Sequence, residues 1–392
     1  MDPVNPPTLA VACLSLLACR QQSPQDPADS PAPLDTSSPV DTSTPPDTET
    51  GDTGEIHDGV TPVYVTFFSH NEDAPYWKSL VDDLDEYARY RADLRERVEL
   101  LWDHGATLNW ETDEAVLRAM ARNEVAQDLS TTGDKSILPW MVEDMGVHVD
   151  PHTHQHGPYN YADIAYLIGT LGVESGGVVG GLALMGCAEK KGEFVFTDWN
   201  VELGIGADGL IQGRRWPQAS WRPTVLTQVA MADHHIDEFS SGVWRPEPGD
   251  FYASDGDGLA YVGQGYPRDR GLMGDSTSSG VPIVYEDLGY IQELVGMIES
   301  GRRSGGIYTA SVRLLDQPLL AGVQSTNALL LESLQVLQPL VDSGQVVYLD
   351  YEGVVKLWER DHASRPSRVS IDEFSAYDRI FEPVDDECWG DS

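Results

Sequence analysis

Residues 146–157 read GVHVDPHTHQHG and hold four of the ten histidines in the chain. His152 and His156 are four residues apart, so one helical turn would place both imidazoles on the same side. His152 and His154 are two residues apart, so a strand would place them on the same face. Neutral imidazole is a common ligand of divalent ions such as zinc. We therefore expect a metal site at this stretch.

Strands and helices alternate outward from this stretch in both directions. The pattern predicts strands over residues 63–68, 106–110, 146–150, 177–185, 306–312 and 346–349. It predicts helices over residues 76–104, 114–122, 135–145, 161–171, 287–300, 325–343 and 352–359. This alternation is typical of a parallel α/β sheet or barrel. We predict an irregular seven-stranded β/α barrel, with a loop-rich insertion after the fourth strand where residues 187–285 are rich in Gly, Trp and Pro.

The same stretch resembles the second motif of the polysaccharide deacetylase (NodB-homology) family, within the glycoside hydrolase/deacetylase barrel superfamily. In that motif a strand leads into His-Thr-x-x-x-His, and the two outer histidines bind a divalent metal. The resemblance implies that His152 and His156 are metal ligands. The family's first motif, Asp-Asp-Gly-Pro, is matched by EDAP at 72–75, preceded here by an inserted Ser-His-Asn. This match implies that Glu72 is the general base and Asp73 the third ligand.

A third motif of the family, Arg-Pro-Pro-Tyr-Gly-Asp, resembles RPEPGD at 245–250. It implies that Arg245 orients the catalytic acid, and it makes Trp244 and Asp250 candidates for substrate binding. The resemblance covers most of residues 60–358. It fails at the late strand, where the family has a histidine and this chain has Ser311 or Arg313. The general acid is therefore not identified, with His234 and His235 as substitutes.

The resemblance implies a metal-dependent hydrolase that removes acetyl groups from N-acetylated saccharides. Zinc is the first choice of ion, and cobalt, nickel or manganese also suit a site of two imidazoles and one carboxylate. Such an ion acidifies a water and polarises an amide carbonyl, while a separate carboxylate takes the proton of the water. The carbohydrate substrate is the expected partner.

Two other hypotheses stay open. The chain would be a barrel amidohydrolase if His152 and His154 on a strand bound zinc. It would be a glycan-binding surface lipoprotein if the missing late histidine had abolished catalysis. The sequence alone does not decide between an enzyme and a binding protein.

The N-terminal region predicts export. Residues 1–19 resemble a bacterial lipoprotein signal that ends at Cys19, although no Lys or Arg precedes the apolar stretch. That stretch of about ten residues is shorter than the roughly 20 needed to cross a membrane. Residues 20–58 are rich in Pro, Asp, Ser and Thr, which predicts a disordered tether. We therefore predict a lipid-anchored protein of the bacterial cell envelope that faces the periplasm or the exterior.

The body and the tail follow this tether. Residues 59–360 form the predicted deacetylase-like domain, and residues 361–392 form an acidic tail. Outside the cytoplasm, Cys187 and Cys388 would be able to form a disulfide. The formal net charge of −39 excludes a nucleic-acid-binding role, because phosphates are bound by basic surfaces. With 392 residues, of which 41% are hydrophobic, the chain can bury a sizeable core.

Overall fold

The computed structural model describes residues 61–70, 77–153, 159–180, 183–184, 204–227, 230–231, 239–247, 250–254, 258–263, 272–273, 284–315 and 326–370. The predicted signal segment with Cys19, the tether, both partners of the predicted disulfide and most of the acidic tail lie outside these residues. In the described part of the chain, no helix combines the length and the apolar character needed to cross a membrane.

A parallel sheet is built around strand β1 (Val63–His70). Its other strands are β2 (Leu108–Thr112), β3 (His148–Pro151), β12 (Leu272–Met273), β13 (Tyr308–Leu315) and β14 (Val346–Tyr348). The strand order is β12-β13-β1-β2-β3, and β14 also pairs with β1. Strand β14 pairs with residues 63–65 and β2 with residues 67–70, so these two strands share one edge of β1. All of these pairings are parallel.

One face of this sheet is apolar and packs against helices. Alternate residues of a strand point to opposite faces, so Val63, Val65 and Phe67 lie on the same side. They form one buried cluster with Leu108, Trp110, Val149, Ala310 and Val312 and with helical side chains such as Leu94, Leu117 and Leu334. Burial of this apolar surface is the main source of stability for the parallel sheet.

Most helices of the described residues pack against that face, whereas the helix that begins at Tyr351 packs on the opposite face with Tyr64 and Phe68. The helices are α1 (Trp77–Asp82), α2 (Leu84–Asp103), α3 (Glu114–Asn123), α4 (Ala126–Leu129), α5 (Ile137–Glu143), α6 (Tyr161–Thr170), α7 (Val284–Glu299), α8 (Thr326–Asp342) and α9 (Tyr351–His362). The single helix predicted over residues 76–104 is two helices. Asp83 has an extended backbone between them, and its carboxylate accepts hydrogen bonds from the backbone N–H groups of Asp85 and Glu86, each at 3.0 Å. An aspartate in this position starts a new helix.

A second sheet covers the opposite face of the parallel sheet. Its order is β15 (Ser367–Ser370), β8 (Phe239–Trp244), β11 (Ala260–Val262), β6 (Val225–Thr227) and β4 (Val178–Val179). Tyr64 and Phe68 of β1 pack in one cluster with Val178, Val225 and Val243 of this sheet. Several of its strands come from residues 187–285, for which the sequence predicts a loop-rich insertion. The described residues also contain two small sheets, β5 (Ala183–Leu184) with β7 (Ala230–Met231) and β9 (Pro246–Glu247) with β10 (Asp250–Ser254).

The α/β class predicted from the sequence is therefore confirmed, but the seven-stranded barrel is not shown. The parallel sheet is not closed in the described residues, since its pairing order ends at β12 on one side and at β3 on the other. The second sheet is of mixed direction, because β8 pairs antiparallel with both β11 and β15. A uniform ring of parallel strands would not contain such pairs.

Candidate metal centre

Three metal-ligating side chains meet at the carboxyl edge of the parallel sheet. His70 is the last residue of β1 and lies directly beside Glu111 of β2 in the strand register. His152 follows the last residue of β3, and its backbone N–H donates to the carbonyl of Thr112 at 2.8 Å. All three side chains are buried. The ends of three adjacent parallel strands thus bring together residues that are about 40 positions apart in sequence.

The donor atoms of these residues, here called the His-Glu-His cluster, lie close to one another. His70 Nε2 is 3.0 Å and His152 Nδ1 is 3.7 Å from the same oxygen, Glu111 Oε2. The two imidazole rings are stacked, with centroids 4.3 Å apart and planes inclined by 22°. One donor atom from each residue lies within 4.8 Å of the other two.

The electrostatics of the cluster favour an ionised carboxylate between two imidazoles. Burial alone would raise the pKa of Glu111, but the attraction and hydrogen bonding of His70 and His152 bring it down to about 2. Burial lowers the pKa of His70, which favours the neutral ring that can offer a lone pair. The cluster therefore presents one negative charge and imidazole nitrogens, as a divalent cation requires.

A second buried carboxylate supports the cluster from the neighbouring strand. Asp150 lies beside Glu111 in the register of β2 and β3. Its Oδ1 accepts from the backbone N–H of Val178 at 2.9 Å, and its Oδ2 accepts from Asn109 Nδ2 at 3.2 Å. Burial raises the pKa of Asp150 well above its ordinary value. These hydrogen bonds fix the side chain next to the cluster.

The backbone of Gly176 lies directly against the carboxylate of Asp150, and that of Gly180 against the carboxylate of Glu111. A Cβ atom added to Gly180 would meet the carboxylate of Glu111, and one added to Gly176 would meet the carboxylate of Asp150, in each case closer than any real contact allows. The segment 176–180 can approach the acids this closely only because these two residues have no side chain. Close backbone approach is therefore the reason for glycine at both positions.

The donors of the cluster fit a small divalent ion. Two imidazoles and one carboxylate are a usual protein ligand set for zinc, and three protein ligands leave room for a water or a substrate oxygen. Separations of 3.0 and 3.7 Å between nitrogen and oxygen are near those of donors that share one ion at about 2 Å each. Among the described residues, this cluster is the one group of at least three His, Cys, Asp or Glu side chains whose donor atoms lie this close together.

The structure places only part of the predicted metal site. His152 lies in the cluster, where its partners are His70 and Glu111. The predicted ligands Asp73 and His156, the predicted base Glu72, the alternative ligand His154 and the substitute acids His234 and His235 all lie outside the described residues. Asp250 is the first residue of β10, where its backbone pairs with Glu247.

Arg245 is placed at a different set of residues. Its guanidinium pairs with Glu359, donates to the carbonyl of Gly258 at 2.7 Å and lies over the ring of Trp358, 5.4 Å from the ring centroid. It lines a cavity of about 620 Å³ together with basic residues Arg222 and Lys356. The contacts of Arg245 in the described structure thus do not include the His-Glu-His cluster.

Trp244 does not have the exposure expected of a sugar-stacking residue. It is fully buried and packs against Tyr261, with ring centroids 4.5 Å apart. Both belong to an apolar cluster with Tyr161, Val179 and Leu226. Trp244 is therefore a core residue in this structure, because its neighbours cover its ring.

Two members of the cluster were not identified from the sequence. The motif match predicts that His70 lies in an inserted Ser-His-Asn, and no motif match indicates Glu111. The sequence signal for these two residues is a polar side chain at every second position of a strand. Asn109 and Glu111 of β2 lie on the same face of the sheet as His70 of β1. On the same face, β13 places Arg313 beside Phe68, and its positive charge contributes to the lowered pKa of His70, which is due mainly to burial.

Comparisons with known proteins do not assign the chain to a family. No protein-family profile matches the sequence, and no curated protein matches it. Among solved structures, the chain has a likeness to a GH57 branching enzyme from the hyperthermophilic archaeon Thermococcus kodakaraensis, solved in complex with glucose and additives. The likeness covers 74% of this chain and 73% of that chain, at 12% sequence identity and a TM-score of 0.33. A likeness of this size does not define the function of the chain.

Proposed function

We propose that the chain is a metal-dependent hydrolase whose ion is held by His70, Glu111 and His152. The observation that supports this proposal is the buried His-Glu-His cluster at the carboxyl edge of a parallel sheet. Active sites of α/β proteins lie at this edge, because the loops that follow the strands meet there. A carboxylate and two imidazoles buried together without an ion would be costly to desolvate.

The residues of the cluster have distinct roles in this proposal. Glu111 contributes the negative charge, and the two imidazoles contribute nitrogen donors. The bare backbone at Gly180 lies against the Glu111 carboxylate and excludes bulk water from it. A divalent ion bound there would supply Lewis acidity toward a carbonyl oxygen and would lower the pKa of a water.

We propose an N-acetylated saccharide as the substrate and zinc as the first choice of ion. The support is the resemblance of residues 146–157 to a deacetylase motif, with His152 common to the motif and to the cluster. Cobalt, nickel or manganese would suit the same donors. Attachment to the cell envelope through Cys19 and the disulfide between Cys187 and Cys388 stay predictions.

Metal content and acetate release test the proposal together. The full chain should retain about one equivalent of a divalent metal after gentle purification, and it should release acetate from N-acetylated oligosaccharides. Glu111→Gln removes the negative charge and should lower metal affinity at least about tenfold, as expected for a lost ligand. His148→Ala is the matched control, because His148 also lies on β3 but its ring is partly exposed and 3.5 Å from Asp350.

The two measurements separate the hypotheses. A protein that binds metal through Glu111 but releases no acetate from any tested sugar would contradict the deacetylase and favour the glycan-binding lipoprotein, consistent with Arg313 at the place of the late histidine. A protein that binds no metal would contradict the metal-dependent hydrolase itself. Loss of metal in His148→Ala equal to the loss in Glu111→Gln would also contradict the assigned ligands.

A further inference from the structure

Tyr161 carries a buried hydroxyl group for which the described residues provide no hydrogen-bond partner. Its side chain is fully buried, and the hydroxyl has no hydrogen-bond partner among the described residues. A buried hydroxyl left unsatisfied is unfavourable, and most buried polar groups in proteins are hydrogen-bonded. Either the group is a tolerated defect or it serves a ligand.

The position of Tyr161 is fixed from two directions. It is the first residue of α6, directly after Asn160, whose side chain accepts from the backbone N–H of Asp163 while the Asp163 carboxylate accepts from the backbone N–H of Asn160. Its ring is stacked on the indole of Trp221, with centroids 5.8 Å apart and planes inclined by 14°. A phenol held in this way can present its hydroxyl in one direction with little loss of entropy.

The same contacts bring Tyr161 to the backbone that closes the cluster. The indole N–H of Trp221 donates to the carbonyl of Gly176 at 2.7 Å. Tyr161 also packs in one apolar cluster with Val179, the residue before Gly180. Gly176 and Gly180 are the two residues whose backbones lie against Asp150 and Glu111. Burial, followed by the negative charge of Glu111, raises the pKa of Tyr161, so the phenol stays protonated and can donate.

We propose that the Tyr161 hydroxyl donates a hydrogen bond to an anionic oxygen of a ligand bound at the His-Glu-His cluster. The ligand class is a carboxylate, such as the acetate that deacetylation would release, or the oxyanion formed when water adds to an amide carbonyl. This inference rests on the proposed metal-dependent function and adds the group that recognises the negative oxygen. Preorganised donors of this kind are a large source of transition-state stabilisation in acyl transfer.

Acetate binding to the cobalt-loaded full chain tests this role without turnover. Cobalt content is measured first, and acetate is then titrated while the visible absorption of cobalt is recorded. Tyr161→Phe should retain cobalt but bind acetate at least about tenfold more weakly, because a hydrogen bond to a charged acceptor is lost. The same variant should lower kcat for acetate release and leave the metal content unchanged.

Tyr348→Phe is the matched control. Tyr348 also has a buried hydroxyl without a partner in the described residues, but its ring lies against Phe67 on the apolar side of the parallel sheet, with centroids 5.3 Å apart. This variant should bind acetate with the same affinity as the protein without substitutions. The melting temperature of Tyr161→Phe should not fall, because the hydroxyl makes no hydrogen bond within the described fold.

Each other outcome overturns the inference. Unchanged acetate affinity in Tyr161→Phe, an equal loss in Tyr348→Phe, or a lower melting temperature in Tyr161→Phe would assign the hydroxyl no role or a structural one. Cobalt binding without acetate binding in the unchanged protein would overturn this inference alone. Absence of cobalt binding in that protein would overturn the proposed metal-dependent function and this inference with it.

Discussion

At the scale of single residues, the site depends as much on absent side chains as on charged ones. His70, Glu111 and His152 supply the donor atoms, and all three are buried. The backbone of Gly180 lies directly against the carboxylate of Glu111. Because interiors are close-packed, even one methyl group at this position must displace a neighbour. The glycine is thus as specific a requirement as the ligands.

Gly180→Ala should therefore damage the cluster. The added methyl group would meet the Glu111 carboxylate, and relief of the overlap should cost about 1–3 kcal/mol of unfolding free energy and weaken metal binding. Urea unfolding and metal titration of the purified variant measure both effects.

Gly169→Ala is the control for this substitution. Gly169 lies within α6 with open space around its Cα, so the change should stabilise the helix by about 0.5–1 kcal/mol. A Gly180→Ala protein as stable as Gly169→Ala, with unaltered metal binding, would show that backbone contact with Glu111 is not required.

At the scale of elements, helix starts position the segments around the site. Asp163 in the first turn of α6 is fully buried, and its carboxylate accepts from the backbone N–H of Arg215 at 2.8 and 2.9 Å and from that of Trp216 at 3.2 Å. It also completes the capping box with Asn160. One carboxylate therefore joins the start of a helix to a segment about 50 residues later in the sequence.

Asp163→Ala should be more damaging than the loss of an ordinary cap. The partly buried backbone N–H groups of Asn160, Arg215 and Trp216 would lose their acceptor, which should cost about 2–3 kcal/mol. Asp83→Ala at the exposed start of α2 removes a cap with two acceptor bonds and should cost about 1 kcal/mol. Denaturant unfolding of the two variants gives the comparison, and equal losses would show that the contacts to Arg215 and Trp216 contribute nothing.

The elements were predictable from the sequence to the extent that they are long and periodic. The predicted strand 63–68 and helices 114–122 and 161–171 match β1, α3 and α6 within two residues at each end. The break at Asp83 was missed because apolar residues continue on both sides of it at helical spacing. The region of residues 187–285 predicts only a loop-rich insertion because most of its strands are two or three residues long and carry no detectable period, and their pairing depends on distant partners.

The site was less predictable than the elements. His152 was identified because the local histidine spacing indicates a ligand. Glu111 has no such neighbour in the sequence, and its role appears only when β1, β2 and β3 are aligned in register. Ligand sets assembled from several strands depend on tertiary contacts, so local motifs identify at most some of their members.

At the scale of the whole molecule, the described fold begins close to the end of the predicted tether. Val63 opens β1, and its backbone N–H donates to the carbonyl of Gln345 at 2.9 Å. Strand β1 pairs with three other strands, so it is central to the parallel sheet. The described residues that follow the predicted tether therefore begin with a strand of the core, Val63–His70.

Limited proteolysis should separate the predicted tether from the folded body. Because residues 20–58 are expected to be a disordered tether, a nonspecific protease should cut within them and leave a stable fragment that starts near residue 59. Mass spectrometry of the fragment gives its first residue. Protection of the whole segment from cleavage would contradict the tether.

The two faces of strand β1 have different consequences for how such a protein evolves. Val65 and Phe67 face the helices, whereas Thr66, Phe68 and His70 face the second sheet and the donor atoms. Substitutions at odd positions alter chiefly the tolerance of the chain to further mutation, since they change its stability reserve. At even positions, Tyr64 and Phe68 are buried between the two sheets and contribute to the same reserve, whereas a substitution of His70 would change the donors of the cluster. The proposed choice of ion would thus depend on the last residue of this strand, and stability on both of its faces.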